Sequence, residues 1–297
     1  MRYWLLLTLL FALRFAQAQE GRSFVQQYSP SILLPHQQFE LRSYFNLYSQ
    51  NTVNVDGNRV PLAERQSFLT SFLQMSYGID KARRWNVGID LWFQAARYDD
   101  DRESSALRVL SREGASYQRA ELSYLAPRLR WVPVATLPTL SLQSTVLLPI
   151  VPNPENPRFL THDRTSWWAQ LFYDYSRAKY QLFFSGELLY RFRSGNEQVS
   201  DDERRGFLRL PFGVTASYFL GRKGTVFALV QHSQVHQRLP EGSMTTFARV
   251  RHFTQAGLGA KWQLHPQLGV EFLWTKFVQA RNDGLGSTLN FGIRYIQ

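Results

Sequence analysis

The stretch 85–98, Trp-Asn-Val-Gly-Ile-Asp-Leu-Trp-Phe-Gln-Ala-Ala-Arg-Tyr, decides the fold. Val87, Ile89, Leu91, Phe93 and Ala95 fall on one side of an extended chain; Asn86, Asp90, Trp92, Gln94 and Arg97 largely do not. Successive side chains of a strand point to opposite faces, so a period of two marks a strand with one apolar and one polar side. Phe39, Leu41, Phe45 and Leu47 stand in the same relation to Glu40, Arg42, Tyr44, Asn46 and Tyr48.

Carried outward, this period predicts twelve strands, at 37–50, 65–79, 85–98, 118–131, 139–150, 165–176, 180–193, 206–220, 225–238, 247–263, 267–281 and 287–296. Each reaches the roughly 9 to 11 residues that a tilted strand needs to cross a bilayer. The connections alternate. Those at 51–64, 99–117, 151–164, 194–205 and 239–246 are long or medium, whereas 80–84, 177–179, 221–224 and 264–266 are tight, with 132–138 between them. Long loops on one rim and short turns on the other are the topology of a membrane barrel. An even strand count places both termini on the short-turn side.

Composition agrees. The 297 residues include 22 Phe, 14 Tyr and 8 Trp, too many for a disordered chain, and only 19% are charged. Cysteine is absent, which excludes disulfides, thiolate nucleophiles and Cys-based metal centres. Arg2, the apolar run from Trp4 to Phe15 and Ala16-Gln17-Ala18 read as a secretory signal with a small-x-small cleavage site, so the exported chain is expected to begin at Gln19. Its loss removes Arg2 and Arg14 from a net charge of +11, leaving the chain basic. Beyond Ala18 no apolar run approaches the length of a membrane helix.

These features resemble the bacterial outer-membrane β-barrels, down to a last strand carrying Leu289, Phe291, Ile293 and Tyr295 on one face, although Gln297 rather than an aromatic residue ends the chain. The expected fold is all-β, a transmembrane antiparallel up-and-down barrel of about twelve strands, with residues 1–18 as signal peptide, 19–36 as an N-terminal periplasmic segment and 37–297 as the barrel. The resemblance implies a Gram-negative outer membrane, contact with its lipid and lipopolysaccharide, and folding by the barrel-assembly machinery. A soluble sandwich or small barrel would also alternate, but it leaves the loop asymmetry unexplained. Nor does it account for aromatics at both rims: Trp85, Trp131, Tyr218 and Trp262 near the short turns, Tyr98, Trp167 and Tyr190 near the long loops.

With the apolar face toward lipid, the polar face lines a lumen. Expected lining residues are Arg42, Asp90, Asp174, Glu187, Arg191, Arg209, Arg249, Arg251, Glu271 and Arg294. One reading makes this set a salt-bridged core that holds the barrel rigid. The other makes part of it a selectivity lining, because guanidinium groups stay charged and attract anions. Arg191, Arg209, Arg249 and Arg251 cluster toward the long loops, with Glu187 and Glu271 as partners. The acidic runs holding Asp99, Asp100 and Asp101, and Asp201 and Asp202, are weak candidates for a divalent cation, since carboxylates are hard ligands.

Enzymes occur on such barrels. The outer-membrane phospholipase pairs His and Ser two residues apart, because a nucleophile needs its base within reach. Here His232 and Ser233 are adjacent and so on opposite faces; His252 and Thr254 have the spacing, with threonine in place of serine. His162-Asp163 imitates the rim groups of the outer-membrane proteases only as neighbours in a loop. No catalytic set and no cofactor motif emerges, and an exported chain with dispersed arginine has no need of nucleic acid. The functional expectation is a passive channel or transporter for small polar or anionic solutes. The alternatives are a non-conducting barrel that docks protein partners, and an outer-membrane hydrolase.

Overall fold

The computed structural model describes residues 32–111, 115, 117–150, 164–193, 205–239 and 247–297. The expected signal peptide, most of the segment 19–36, and Asp201, Asp202, His162 and Asp163 lie outside them.

The wall comprises β1 (Phe39–Val55), β2 (Asn58–Gly78), β3 (Trp85–Asp99), β4 (Tyr117–Trp131), β5 (Leu140–Pro149), β6 (Ser166–Ser176), β7 (Tyr180–Arg191), β8 (Phe207–Leu220), β9 (Gly224–Arg238), β10 (Phe247–His265), β11 (Leu268–Arg281) and β13 (Ser287–Ile296). A two-residue strand, β12 (Asp283–Gly284), braces the end of β1. Every wall strand pairs antiparallel with its neighbours in sequence, and β13 returns to β1 with Glu40 opposite Ile296 and Ser49 opposite Ser287. Closure leaves no unpaired edge, which is what lets strands satisfy their backbone in lipid. Among the described residues no helix is long and apolar enough to cross a membrane.

The outer surface carries the apolar residues that a water-soluble barrel would bury. Phe45, Phe93, Leu122, Phe184, Phe212, Leu258, Trp274 and Phe291 are all exposed. Trp85 stacks on Trp131 at the short-turn rim, their centroids 6.0 Å apart. This is a transmembrane barrel with an apolar exterior.

Among the local departures from the simple period, three bear on the lumen. First, the expected loop 51–64 is instead an extension of β1 and β2 beyond the bilayer, closed by Asp56-Gly57 with Val55 opposite Asn58. Both turn residues have positive φ, 50° and 94°, the backbone that two-residue hairpins require and that Asp-Gly supplies. Second, β4 bulges at Ser123: Phe93 faces Leu122, but Trp92 faces Tyr124. A bulge reverses inward and outward beyond it. Third, β10 bulges at Val250, with Arg249 opposite His236 and Arg251 opposite Val235.

The connection after β3 folds back over the outside of the wall. Its 3-10 turn, Ala106–Leu110, is capped by the Ser105 hydroxyl, which accepts from Leu107 N. Val109 is buried against Leu47, Leu69 and Ala95 of β1–β3. Beside it Arg97 and Asp99, both essentially inaccessible, form an ion pair of 2.7 Å, and Arg97 also donates to Ser111 O at 3.0 Å.

Candidate functional site: the lumen and its long-loop mouth

A series of cavities runs through the barrel, each sharing lining residues with the next. At the long-loop mouth a cavity of about 330 Å³ is lined by Arg164, Arg191, Arg205 and Arg251, with Phe207, Gln237 and Asn282. Through Val235 and Arg251 it meets a cavity of about 520 Å³ that also holds Arg209, Gln231, Gln255, Asn46 and Asn290. That cavity meets a third, of about 290 Å³, at Leu229 and Leu273. The third narrows into a space of about 30 Å³ shared through Arg42, Arg128, Arg130 and Gln143, and lined on its short-turn side by Ile32 and Leu34.

The charges are divided along this path. In the short-turn half the bases meet carboxylates. Glu40 takes Arg42 at 2.9 Å and Arg294 at 2.5 Å; Asp90 takes Arg128 at 3.1 Å; Glu271 takes Lys261 at 3.2 Å. Such pairing offsets the cost of taking charge out of bulk water. Toward the long loops, the described residues that line the two cavities include five arginines and one carboxylate, Asp283.

Aromatic rings support the bases along the whole length. The guanidinium carbon of Arg191 lies 4.5 Å from the Phe207 centroid, Arg209 5.5 Å from Phe253 and Arg130 4.7 Å from Phe172; Lys261 Nζ lies 5.1 Å from Phe227. The ring quadrupole attracts the cation while leaving its N–H edge free for other partners. Arg209 directs one such donor to Ser233 Oγ at 3.0 Å. Between the bases run amide ladders: Gln143 donates to Gln170 at 2.6 Å, and Gln255 donates to Gln231 at 2.5 Å while accepting from Thr275 at 3.0 Å.

Of the expected lining residues, Arg42, Arg191, Arg209, Arg251, Glu271 and Arg294 line these cavities. Asp90 and Asp174 are buried on the lumen side beneath lining residues, opposite Gln74 and Phe183, Asp90 accepting from Gln74 at 3.1 Å and Asp174 from Gln181 at 2.6 Å. Glu187 accepts from Trp168 Nε1 at 2.9 Å and lies in the field of Arg209, while Glu271 is paired with Lys261. Arg249 is corrected outright: the bulge at Val250 places it opposite His236 on the lipid-facing side.

The acidic run at 99–101 is also reassigned. Asp99 is occupied by Arg97, Asp101 accepts from Glu103 N at 2.9 Å to shape its turn, and Asp100 is exposed. Among the described residues no three His, Asp or Glu side chains converge to hold a metal. Of the pair His252 and Thr254, the Thr254 hydroxyl meets the ring of His232 on the neighbouring strand, with Nδ1 2.9 Å from Thr254 Oγ1.

The sequence reading missed Arg128 and Arg130, because the β4 bulge reverses their phase, and it missed Arg164 and Arg205, which lie at loop ends. It also assigned phenylalanine to the exterior alone. Phe68, Phe72, Phe172, Phe183, Phe227, Phe253 and Phe277 line the lumen. Their even spacing from polar inward neighbours, as in Phe68, Thr70, Phe72 and Gln74, was the available signal.

An apolar exterior, a closed antiparallel wall and a charged, cavity-bearing interior define an outer-membrane-type β-barrel. Solved structures agree on the fold. The chain is similar to an outer-membrane channel from Pseudomonas putida F1, with 12% identity over 95% of this chain and 100% of that one and a TM-score of 0.65. It is also similar to the β-domain of the Bordetella autotransporter BrkA, at 12% identity over 87% and 99% of the two chains and a TM-score of 0.52. No family model and no curated relative matches the sequence.

Proposed function

We propose that the protein is a passive outer-membrane channel for small organic anions, which enter at the long-loop mouth and leave toward the periplasm. The observation that carries this reading is the convergence of Arg164, Arg191, Arg205 and Arg251 on one cavity that opens, past Arg209, into the lumen. An arginine-lined mouth raises the local anion concentration and supplies bidentate donors to carboxylate or phosphate. Rings beneath the bases add an apolar surface, which favours solutes with a hydrocarbon or aromatic body over bare inorganic ions. The similarity in fold to a channel from Pseudomonas putida F1 is consistent with this assignment.

The division of charge supports permeation over tight binding. Deeper in the lumen a solute meets bases already balanced by Glu40, Asp90 and Glu271, so no single site there holds it strongly. In this reading the barrel performs no covalent chemistry.

Solute entry into proteoliposomes tests the proposal. With the refolded barrel, benzoate is expected to enter faster than benzylamine, a cation of similar size. Equal entry, or faster entry of the amine, would overturn it.

A further inference from the structure

The lipid-facing side of β9–β11 carries a second cluster of basic residues that a channel has no use for. Register fixes its membership, because residues directly opposite in an antiparallel pair share a face. Thr254 stands opposite His232 and Gln279, His252 opposite Gln234 and Arg281, and Arg249 opposite His236. This face is the exterior: His232 lies 5.1 Å from the ring of Phe212, itself 55% exposed, and none of these residues lines a lumen cavity with the long-loop arginines.

The cluster has a structured floor. His232 Nδ1 lies 2.9 Å from Thr254 Oγ1, while His232 Nε2 and His236 Nε2 each lie 3.3 Å from the Gln234 amide. The His252 ring sits 5.9 Å from that of His232, within the fields of Arg249 and Arg281. Exposed Arg238 and Lys276 flank the cluster on the same wall.

Among the described residues no carboxylate is paired with Arg249 or Arg281. Among the described residues of β8–β11 the sole carboxylate is Glu271, which faces the lumen and is paired with Lys261. Arginines at a bilayer's edge, with no described carboxylate paired to them, favour an anion arriving from outside. Directly below, toward the bilayer centre, Val230, Leu258 and Trp274 are exposed at 55%, 64% and 43%. An anionic head over an apolar body fits this arrangement.

We infer that the exterior of β9–β11 binds the phosphate of an anionic lipid of the outer leaflet, held by Arg249, Arg281 and His252, with its acyl chains lying over Val230, Leu258 and Trp274. The lipid is a lateral ligand of the wall, separate from any solute in the lumen.

The test uses the full refolded chain in neutral detergent, with bisphosphorylated lipid A as probe and native mass spectrometry as readout. Wild type is expected to retain the lipid. Arg249→Gln with Arg281→Gln should weaken retention by at least about tenfold, as loss of two charge-assisted contacts requires. Dephosphorylated lipid A should bind no better to wild type than to that variant. Unchanged retention by the variant, or equal binding of the dephosphorylated lipid, would overturn the inference. Displacement of the lipid by equimolar inorganic phosphate would also overturn it, showing a free-anion site instead. If the double variant does not fold, Arg281→Gln alone decides in the same way. Ion conductance of the folded variants should match wild type, which separates this site from the lumen.

Discussion

The guanidinium of Arg191 lies 4.5 Å above the ring of Phe207, and both line the cavity at the long-loop mouth. The ring holds the cation in place without neutralising it. Arg191→Gln should therefore lower the anion-over-cation permeability ratio by about fivefold, because a unit charge acting across 4 Å of water contributes ~1 kcal/mol. Phe207→Leu keeps the charge but frees the side chain, and should lower the ratio less. Reversal potentials of the two variants check the order.

Arg249 and Arg251 are two residues apart yet face opposite sides, because Val250 is bulged between them. The natural sequence contains no cysteine, so single replacements report cleanly. A negatively charged, membrane-impermeant thiol reagent is expected to reduce conductance through Arg251→Cys and to leave conductance through Arg249→Cys unchanged. A drop for both would show that the bulge does not set the phase.

Arg97 and Asp99 are buried together under the turn Ala106–Leu110, on the outside of the wall. Asp99→Asn leaves a buried guanidinium without its counter-ion and should cost about 3–5 kcal/mol. Replacing both residues by apolar ones, Arg97→Met with Asp99→Leu, should recover most of that loss. Urea titrations of the folded barrel in lipid measure the difference. The single variant should also expose the 100–111 connection to proteolysis.

At the opposite end, Leu34 N donates to Asn86, whose amide oxygen is 2.9 Å away, and Gly78 leaves room for Pro35: a Cβ there would lie 1.9 Å from the Pro35 carbonyl oxygen. These contacts hold Ile32 and Leu34 against the cavity of about 30 Å³ at the short-turn end. Ile32→Ala with Leu34→Ala should raise single-channel conductance while preserving anion preference. Gly78→Ala should displace the segment and raise it as well.

Strand number, order and closure were legible because lipid outside and water inside impose opposite chemistry on alternate residues. The lumen was legible only in part. Period two cannot reveal a bulge, since one extra residue reverses every side chain beyond it; Arg128, Arg130 and Arg249 were misplaced for that reason. The β1–β2 hairpin was obscured by the polar residues Asn51, Asn54 and Asn58, although Asp56-Gly57 is a direct turn signal. The cation–ring pairs were invisible because they join strands distant in sequence, as Arg209 and Phe253 do.

The reversal potential of the purified barrel in a planar bilayer, under asymmetric potassium chloride, tests the central claim most directly. The arginine-lined mouth predicts a conducting channel with anion preference, diminished when Arg191, Arg209 and Arg251 are together replaced by glutamine. A barrel that does not conduct, or one that prefers cations, would contradict it.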